Sequence, residues 1–470
     1  MQFNYSLLNY LKVWRNFLIS YLAIILIFAA FMSLDSGPLW SYIILLFACL
    51  VGLYLFSVLF FKKTKIPVFS IVSIAFLFKL FFGTWHFLTF VQPDYFSGNT
   101  SYSFFADYLW MHESIQYLAS EAKDVGFLKA MTFDFFIENK GAVIFYGYSP
   151  IYYYGGEYVL NISHLNTVFT LFTAILIAYI ANFFLKLNRK QVIATLILAS
   201  FFPFGLIPSM TMRDFAGQFL IAMGLVSLQY AFKNPKLFLL LLIAGVLFFL
   251  QRKNYVVIPF IAYLIYLIFY SQKVGIRKFS NKFNIRLIFL LIFIAAGLRY
   301  YQAFSQAELI NTSSQLNSEY TSDLTNPQFY ILLPIYIFKG FMGPFPWSQF
   351  FNYTQETIFQ LSDYFTSTFI FTMLVVLWKK RRDIRWFKND MDVIIIASLL
   401  ISFAGVASGF MHLSYISISL VFLIPYLMKY ATLKFFLRNY IVVFLILVCM
   451  SVLWIAFGFY QGGSWSKFKN

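Results

Sequence analysis

Apolar runs long enough to cross a bilayer follow one another through the whole chain, and they constrain its fold more than any other feature. An α-helix needs about 17 to 25 mostly apolar residues to cross the hydrocarbon core of a membrane. The intervals between the runs leave no room for a separate soluble domain of ordinary size, and only 11% of the 470 residues are charged. Soluble domains carry about a quarter charged residues. The sequence therefore predicts an all-α polytopic membrane protein in which residues 1–470 form a single integral membrane domain.

We predict about 13 transmembrane helices, within a range of about 11 to 14, because boundaries read from hydropathy move by a few residues. The first run follows Lys12 and Arg15, as in a signal peptide, but no small-residue cleavage site follows it, so we interpret it as a retained helix. The apolar stretch 329–345 is interrupted by glycine and proline, which predicts a re-entrant or surface-lying segment. The predicted spans are 17–34, 39–61, 66–91, 164–185, 190–208, 212–232, 235–250, 254–272, 284–300, 365–378, 392–410, 413–429 and 435–460.

Lysine and arginine are distributed very unevenly over the predicted connections. If the amino terminus is cytoplasmic, 24 of the 35 Lys and Arg residues fall on the cytoplasmic side, together with only 3 of the 18 Asp and Glu residues. Cytoplasmic loops of membrane proteins carry such an excess of positive charge. The sequence therefore predicts a cytoplasmic amino terminus and an extracytoplasmic carboxyl terminus. The net charge of +17 is then explained by topology and by contact with anionic membrane lipids, and nucleic acid is not expected as a partner.

Two long connections, about 92–163 and 301–363, are predicted to lie outside the cytoplasm and to contain short amphipathic or re-entrant helices. In the first, apolar residues recur at helical spacing between 104 and 118, which predicts a short amphipathic helix lying on the membrane surface. Asp107 lies near the start of that helix. A carboxylate there either suits the helix dipole or accepts a proton from an attacking hydroxyl.

Three further side chains in the first connection are candidates for a role beside Asp107. His112 and Glu113 follow it on the same predicted helix and could assist or replace it in proton transfer. Tyr148 and Tyr152 belong to the tyrosine-rich stretch 146–158. Tyrosine rings at the end of a membrane protein either anchor in interfacial lipid or offer flat faces with hydroxyl tips to a sugar ring.

Basic residues on the extracytoplasmic side run against the general charge distribution and need a separate explanation. Arg213 stands beside Asp214 at an outer turn, and Arg252, Arg299 and Lys339 are also placed outside. Each could pair with a carboxylate in helix packing or extend to lipid headgroups. The conjunction of Arg213, Arg252 and Arg299 at one depth favours a site for an anion such as a phosphate, which the planar guanidinium group binds through two parallel hydrogen bonds.

Several kinds of chemistry lack their sequence signatures. The chain has no phosphate-binding GxxxxGK[ST] loop, no GxGxxG turn, no HExxH helix and no Cys/His cluster. The two cysteines, Cys49 and Cys449, lie inside apolar runs and predict inert packing. Lys79 and His86 lie inside a predicted span, where ionisable groups are functional candidates.

The order of these motifs resembles bacterial O-antigen polymerase-like proteins and the related GT-C-type glycosyltransferases that use lipid-linked sugars. The resemblance covers most of the chain between about residues 80 and 427. It is carried by Asp107 and His112, by Pro208, Ser209, Arg213 and Asp214, by Arg252, by the GPFPW stretch that ends at Trp347, and by His412 at the start of a late helix.

The resemblance implies an enzyme that acts on polyprenyl-linked sugars at the outer face of the bacterial cytoplasmic (inner) membrane. It implies that Asp107 is the base and that Arg213 and Arg252 hold the pyrophosphate of the donor. From their own placement on the outer side, Arg299 and Lys339 are expected as further phosphate ligands. Expected substrate contacts are Asp214, Tyr148, Tyr152, Trp347 and His412. No cofactor is expected, with a divalent cation left open, and the expected partners are a polyprenyl-linked saccharide, membrane lipids and other polysaccharide-assembly membrane proteins.

The leading interpretation is a glycosyltransferase, and specifically a polysaccharide polymerase. A flippase or transporter of an anionic lipid or lipid-linked saccharide would use the same arginines but would place charges at several depths along a path. A structural or assembly subunit would need the ion pairs only for helix packing.

Overall fold

The computed structural model describes residues 2–32, 37–62, 64–97, 106–130, 142–202, 214–231, 357–384 and 420–460. Within these ranges the regular structure is helical and contains no strand. Five helical segments there are long and apolar enough to cross a membrane, namely Leu11–Phe31, Pro38–Phe61, Val68–Thr89, Val159–Phe184 and Leu433–Met450. The all-α, multi-pass class is therefore confirmed. The predicted spans 235–250, 254–272, 284–300 and 392–410 lie outside the described residues, so the number of 13 stays a prediction.

We number the α-helices of the described ranges in chain order. They are α1 (Gln2–Phe31), α2 (Pro38–Phe61), α3 (Val68–His86), α4 (Ala106–Val125), α5 (Phe127–Ala130), α6 (Ala142–Gly155), α7 (Val159–Tyr179), α8 (Arg189–Phe201), α9 (Asp214–Ala231), α10 (Thr357–Lys380), α11 (Ile424–Tyr430) and α12 (Leu433–Tyr460). Wider π-helical turns extend α3 over Phe87–Val91 and α7 over Ile180–Phe184, and short 3₁₀ turns cover Tyr95–Ser97 and Val421–Leu423.

Two helices begin well before the positions predicted from hydropathy. The first was expected from residue 17 and begins at Gln2, and α10 was expected from residue 365 and begins at Thr357. Hydropathy marks where a helix enters lipid, whereas the backbone hydrogen bonds continue through polar residues outside it. The start of α10 therefore lies inside the predicted connection 301–363.

Contacts along the first helices fix their relative directions. Asn16 in the middle of α1 donates from Nδ2 to the carbonyl of Leu59 near the end of α2, over 3.3 Å. Further along, a Cβ atom built on Gly52 of α2 would lie 2.4 Å from the Ile24 side chain, which shows how closely the two backbones approach. As residue numbers rise along α1, the residues that it meets on α2 fall in number, so the two helices run antiparallel.

Helix α7 is the centre of the bundle, since every residue from Val159 to Ala178 is buried. It runs parallel to α2. Asn161 Nδ2 lies 2.7 Å from Ser41 Oγ near the starts of the two helices, and the rings of Tyr179 and Phe60 lie 5.1 Å apart near their ends. Large side chains fill the interface between them. The rings of Phe56 and Phe172 stack at 4.2 Å.

Helix α3 runs antiparallel to α2. The hydroxyl of Tyr42 near the start of α2 is hydrogen-bonded to Thr84 near the end of α3, over 3.1 Å. At the opposite end, the rings of Tyr54 and Phe69 are 5.2 Å apart. The starts of α2 and α7 and the end of α3 therefore meet at one end of the bundle, which we call the polar end.

The opposite end carries most of the described positive charge, and we call it the basic end. Helix α8 begins there with a capping box, in which Asn188 and Gln191 each bond the other's backbone N–H. Gln191 also donates to the carbonyl of Lys429 over 3.3 Å, which brings the end of α11 to this end. Basic residues at this end include Lys12, Arg15, Lys62, Lys65, Lys186, Arg189, Lys190, Lys379, Lys380, Lys429, Lys434 and Arg438. Their gathering agrees with the unequal charge distribution read from the sequence.

Candidate functional site

Helices α4 and α6 form a side-by-side pair at the polar end. His112 Nδ1 lies 2.7 Å from the hydroxyl of Tyr152, and Gln116 Nε2 donates to Glu157 Oε2 over 2.6 Å. The residue number rises in both segments from the first contact to the second, so the two helices run parallel. One face of α4, formed by Met111, Ile115 and Leu118, is at most 1% exposed and belongs to the main hydrophobic core.

The helix predicted on the membrane surface is therefore present, but its predicted environment is wrong. Its apolar residues Met111, Ile115 and Leu118 are covered by protein and not by lipid. The sequence period could not distinguish these two environments, because both require the same apolar stripe.

Helix α6 reaches into the bundle and does not lie along its surface. Its carboxyl-terminal Gly155 accepts a hydrogen bond from Ser41 at the polar end, over 3.2 Å. Its earlier residue Gly147 accepts a hydrogen bond from Tyr21, in the middle of α1. Tyr148 in turn donates to Asn166, which lies two turns inside α7. The connection 92–163 therefore sends a helix into the membrane-spanning bundle.

The direction of the pair places Asp107 deeper than the sequence predicted. Asp107 is in the first turn of α4, five residues before His112. Because α4 runs parallel to α6, this turn lies about 7 Å from His112 towards the middle of the bundle. Glu113 is on the exposed side of α4. Of the three residues predicted for proton transfer, His112 is therefore buried and Glu113 is exposed. The backbone at Asp107 lies further towards the middle of the bundle.

Tyr148 and Tyr152 are interior residues. Both are 0% exposed, and the Tyr148 ring packs against Phe169 with centroids 5.7 Å apart. Burial raises the pKa of the Tyr148 phenol well above its usual value, so this hydroxyl stays protonated and donates to Asn166. In this arrangement neither ring forms an interfacial belt or an open stacking surface for a sugar, and their predicted substrate contact would require α6 to move.

The contact between His112 and Tyr152 predicts a pH-dependent stability. Burial lowers the pKa of His112 from 6.5 to about 4, since water no longer solvates the imidazolium. The unfolded chain therefore binds the proton more tightly, so stability is complete above about pH 6.5 and falls as the pH drops towards 4. Allowing for screening by solvent, we expect a loss of about 1 to 2 kcal/mol at about pH 5. Hydrogen exchange in α4 and α6 should accelerate there in the wild type and much less in His112→Gln.

A second group of polar side chains at the polar end was not singled out by the sequence analysis. Asn161 and His164 of α7 are 0% exposed. Asn161 donates from Nδ2 to Ser41 Oγ, and the His164 ring packs edge-on against Tyr42, with centroids 4.6 Å apart. We call Ser41, Tyr42, Thr84, Asn161 and His164 the interior polar cluster. The stretch NISHLNT within an otherwise apolar helix was the available signal, because buried amides and imidazoles are uncommon in membrane spans.

A close approach between α6 and its neighbours holds this cluster together, and it gives a stability prediction. A Cβ atom on Gly155 would lie 2.3 Å from the Phe28 ring and 2.9 Å from Ser41 Oγ. Gly155→Ala should therefore lower the thermal unfolding temperature, with a loss of about 1 to 3 kcal/mol from overpacking. Gly217→Ala in α9 is the matched control, since nothing lies within 4 Å of its added methyl group. Equal unfolding temperatures for the two variants would contradict this packing.

All four predicted phosphate ligands lie outside the described residues. These are Arg213, Arg252, Arg299 and Lys339, and the predicted substrate contacts Trp347 and His412 lie outside them as well. Asp214 is the first residue of α9. Lys79 and His86, flagged in the sequence because they lie in a predicted span, are both buried on α3.

Comparison with known proteins does not assign this chain to a family. No protein-family model, no curated protein and no solved structure matches the chain. Within the described ranges, no group of three or more His, Cys, Asp or Glu side chains is arranged to hold a metal ion. The functional interpretation therefore rests on the residues themselves and on their positions in the bundle.

Proposed function

We propose that this protein is a membrane glycosyltransferase, and specifically a polysaccharide polymerase that joins polyprenyl-diphosphate-linked sugar units outside the cytoplasm. The observation that carries the proposal is the insertion of the α4–α6 pair, with Asp107 in its inner turn, into the end of the bundle opposite the basic residues. Ionisable residues on helical turns that enter a membrane bundle are functional candidates, so the position of this turn favours chemistry over surface anchoring.

In the proposed reaction Asp107 accepts the proton of the acceptor hydroxyl as that oxygen attacks the anomeric carbon of the donor sugar. The bond from the anomeric carbon to the diphosphate oxygen breaks, and polyprenyl diphosphate leaves with the bonding electron pair. Arg213, Arg252, Arg299 and Lys339 are proposed to stabilise the negative charge on the diphosphate. A leaving group that is already a phosphate ester needs no covalent intermediate with the enzyme.

The proposed topology follows from the two ends of the bundle. The basic end faces the cytoplasm and the polar end faces away from it, in accordance with the positive-inside distribution. We propose about 13 transmembrane helices in a bacterial cytoplasmic membrane, with the connections 92–163 and 301–363 at the polar end. Acceptor and donor would then approach from the outer leaflet. Partners would be polyprenyl-linked saccharide and other proteins of polysaccharide assembly.

One observation favours transport of a lipid-linked saccharide as a second candidate. Lys79 lies within the span Val68–Thr89 and is 0% exposed. A buried lysine away from the end of a span is what a path with charges at several depths would contain. The polymerase remains the first proposal because the other proposed ionic residues are predicted from the sequence to lie together on the extracytoplasmic side.

The electrophoretic pattern of the surface glycan in a deletion strain distinguishes the two candidates. Loss of a polymerase should leave glycans that carry a single repeat unit, while lipid-linked units still reach the outer face. Loss of a transporter should leave lipid-linked units on the cytoplasmic face. A glycan ladder of unchanged length in the deletion strain would contradict both.

A further inference from the structure

His164 is a buried side chain whose two ring nitrogens make no hydrogen bond within the described residues. Its ring is 0% exposed, and neither Nδ1 nor Nε2 has a hydrogen-bond partner in the described structure. Its orientation is nevertheless fixed by Tyr42, whose ring meets it at an interplanar angle of 65°. Tyr42 is in turn held by its hydrogen bond to Thr84. The neighbouring side chains therefore fix the orientation of the imidazole but do not form hydrogen bonds with its ring nitrogens.

Asn161, one helical turn from His164, also has a buried polar atom without a hydrogen-bond partner in the described residues. Ser41 Oγ has a single proton, which it donates to the carbonyl of Gly155 over 3.2 Å. It must therefore accept from Asn161 Nδ2, over 2.7 Å. This arrangement leaves Asn161 Oδ1 as a buried acceptor, and it has no partner in the described part of the chain.

Two unsatisfied groups at such close range are expensive in a membrane-spanning bundle. Each buried polar group without a partner costs about 1 to 3 kcal/mol. Residues three apart on a helix lie side by side, with Cβ atoms about 5 to 6 Å apart. One oxygen atom bound between them could meet both groups at once.

We propose that Asn161 and His164 form a binding site for a neutral hydroxyl group at the polar end. A neutral imidazole offers one donor and one acceptor, and Asn161 Oδ1 offers an acceptor. A hydroxyl group, which both donates and accepts, matches this set, whereas an anion would face the amide oxygen. The hydroxyl belongs either to a bound water molecule or to the acceptor sugar. The sugar case rests on the proposed glycosyltransferase function and, because Asn161 and His164 are both 0% exposed, it requires the surrounding helices to move.

Radiolytic hydroxyl-radical labelling of the purified protein, without glycan, tests the water source. A bound water produces radicals beside His164, so His164 should be modified although it is buried. Met223 in α9 is the internal control, since it is also 0% exposed and its thioether is intrinsically more reactive. Labelling of His164 but not of Met223 supports a bound water.

The variants His164→Phe and Asn161→Leu test the sugar source. In the sugar case the imidazole nitrogens are unsatisfied in the glycan-free protein, so the unfolding temperature of His164→Phe should stay the same or rise. Asn161→Leu also removes the hydrogen bond to Ser41, so only its glycan length is compared. Long-chain glycan should nevertheless fall by about tenfold or more if an acceptor hydroxyl loses its hydrogen bonds. Thr173→Val is the control, because Thr173 is buried on the same helix and its hydroxyl bonds, within the described residues, only to the carbonyl of Phe169 one turn earlier.

Each combination of results decides the proposal. Unlabelled His164 together with unchanged glycan length in both variants overturns it. If Asp107→Asn also leaves the glycan unchanged, the proposed function fails, and the labelling alone decides the hydroxyl site. A fall in the unfolding temperature of His164→Phe without labelling of His164 would show that the imidazole serves packing, and this too overturns the proposal.

Discussion

Replacing Asp107 by Asn should abolish the long-chain surface glycan while the protein continues to accumulate in the membrane. Asn has nearly the same shape as Asp but cannot accept the proton of the acceptor hydroxyl. Loss of a general base slows a reaction by about 100- to 10,000-fold. Electrophoresis of the extracted glycan should show the ladder collapsing to single repeat units.

Asp124→Asn is the matched control for this substitution, since Asp124 lies on the same helix α4 and is exposed near its end. It makes the same change of charge without removing the proposed base, so its glycan ladder should keep the wild-type length. A full-length ladder in normally expressed Asp107→Asn would rule out this residue as the base. Equal losses in both variants would point to a general effect of charge on α4.

Arg213→Ala and Arg252→Ala should produce the next largest loss. Each removes a guanidinium group proposed to hold the departing diphosphate, and removal of one such charge-stabilising donor slows catalysis by about 100- to 1,000-fold. Because the charge develops as the bond breaks, the turnover rate should fall more than the affinity for the lipid-linked donor. Initial rates at several donor concentrations separate the two effects.

Arg438→Gln provides the control for the arginine variants. Arg438 is exposed at the basic end, near the start of α12. Its replacement removes the same charge at the opposite end of the bundle and should leave the glycan unchanged. Lys in place of Arg213 or Arg252 should restore only part of the rate, because a lysine cannot bind a phosphate through two parallel hydrogen bonds. Full activity in Arg213→Ala and Arg252→Ala would exclude a diphosphate site built from these residues.

The class of the fold could be read from the sequence because its cause is local. A run of apolar residues must satisfy its backbone hydrogen bonds internally in lipid, so it forms a helix wherever its neighbours lie. The helices α2, α3 and α7 accordingly lie close to their predicted positions. The early starts of α1 and α10 were missed, because polar residues outside lipid continue a helix without any change in hydropathy.

The arrangement of the site could not be read from the sequence, because it depends on contacts between distant segments. The helical spacing predicted α4, but only its bonds to Tyr152 and Glu157 reveal that it enters the bundle beside α6. The same spacing cannot reveal that Asn161 is oriented by Ser41, which lies 120 positions earlier in the chain. The predicted roles of the arginines remain predictions.

Release of polyprenyl diphosphate by the purified protein in detergent is the most direct test of the proposed function. Detergent removes the two membrane faces, so a transporter has nothing to accomplish there, whereas a glycosyltransferase can still turn over. With a polyprenyl-diphosphate-linked repeat unit as substrate, we predict release of polyprenyl diphosphate together with a lengthened glycan, and loss of both in Asp107→Asn. Absence of release, together with movement of the intact lipid-linked unit across the bilayer of reconstituted vesicles, would contradict the proposed function.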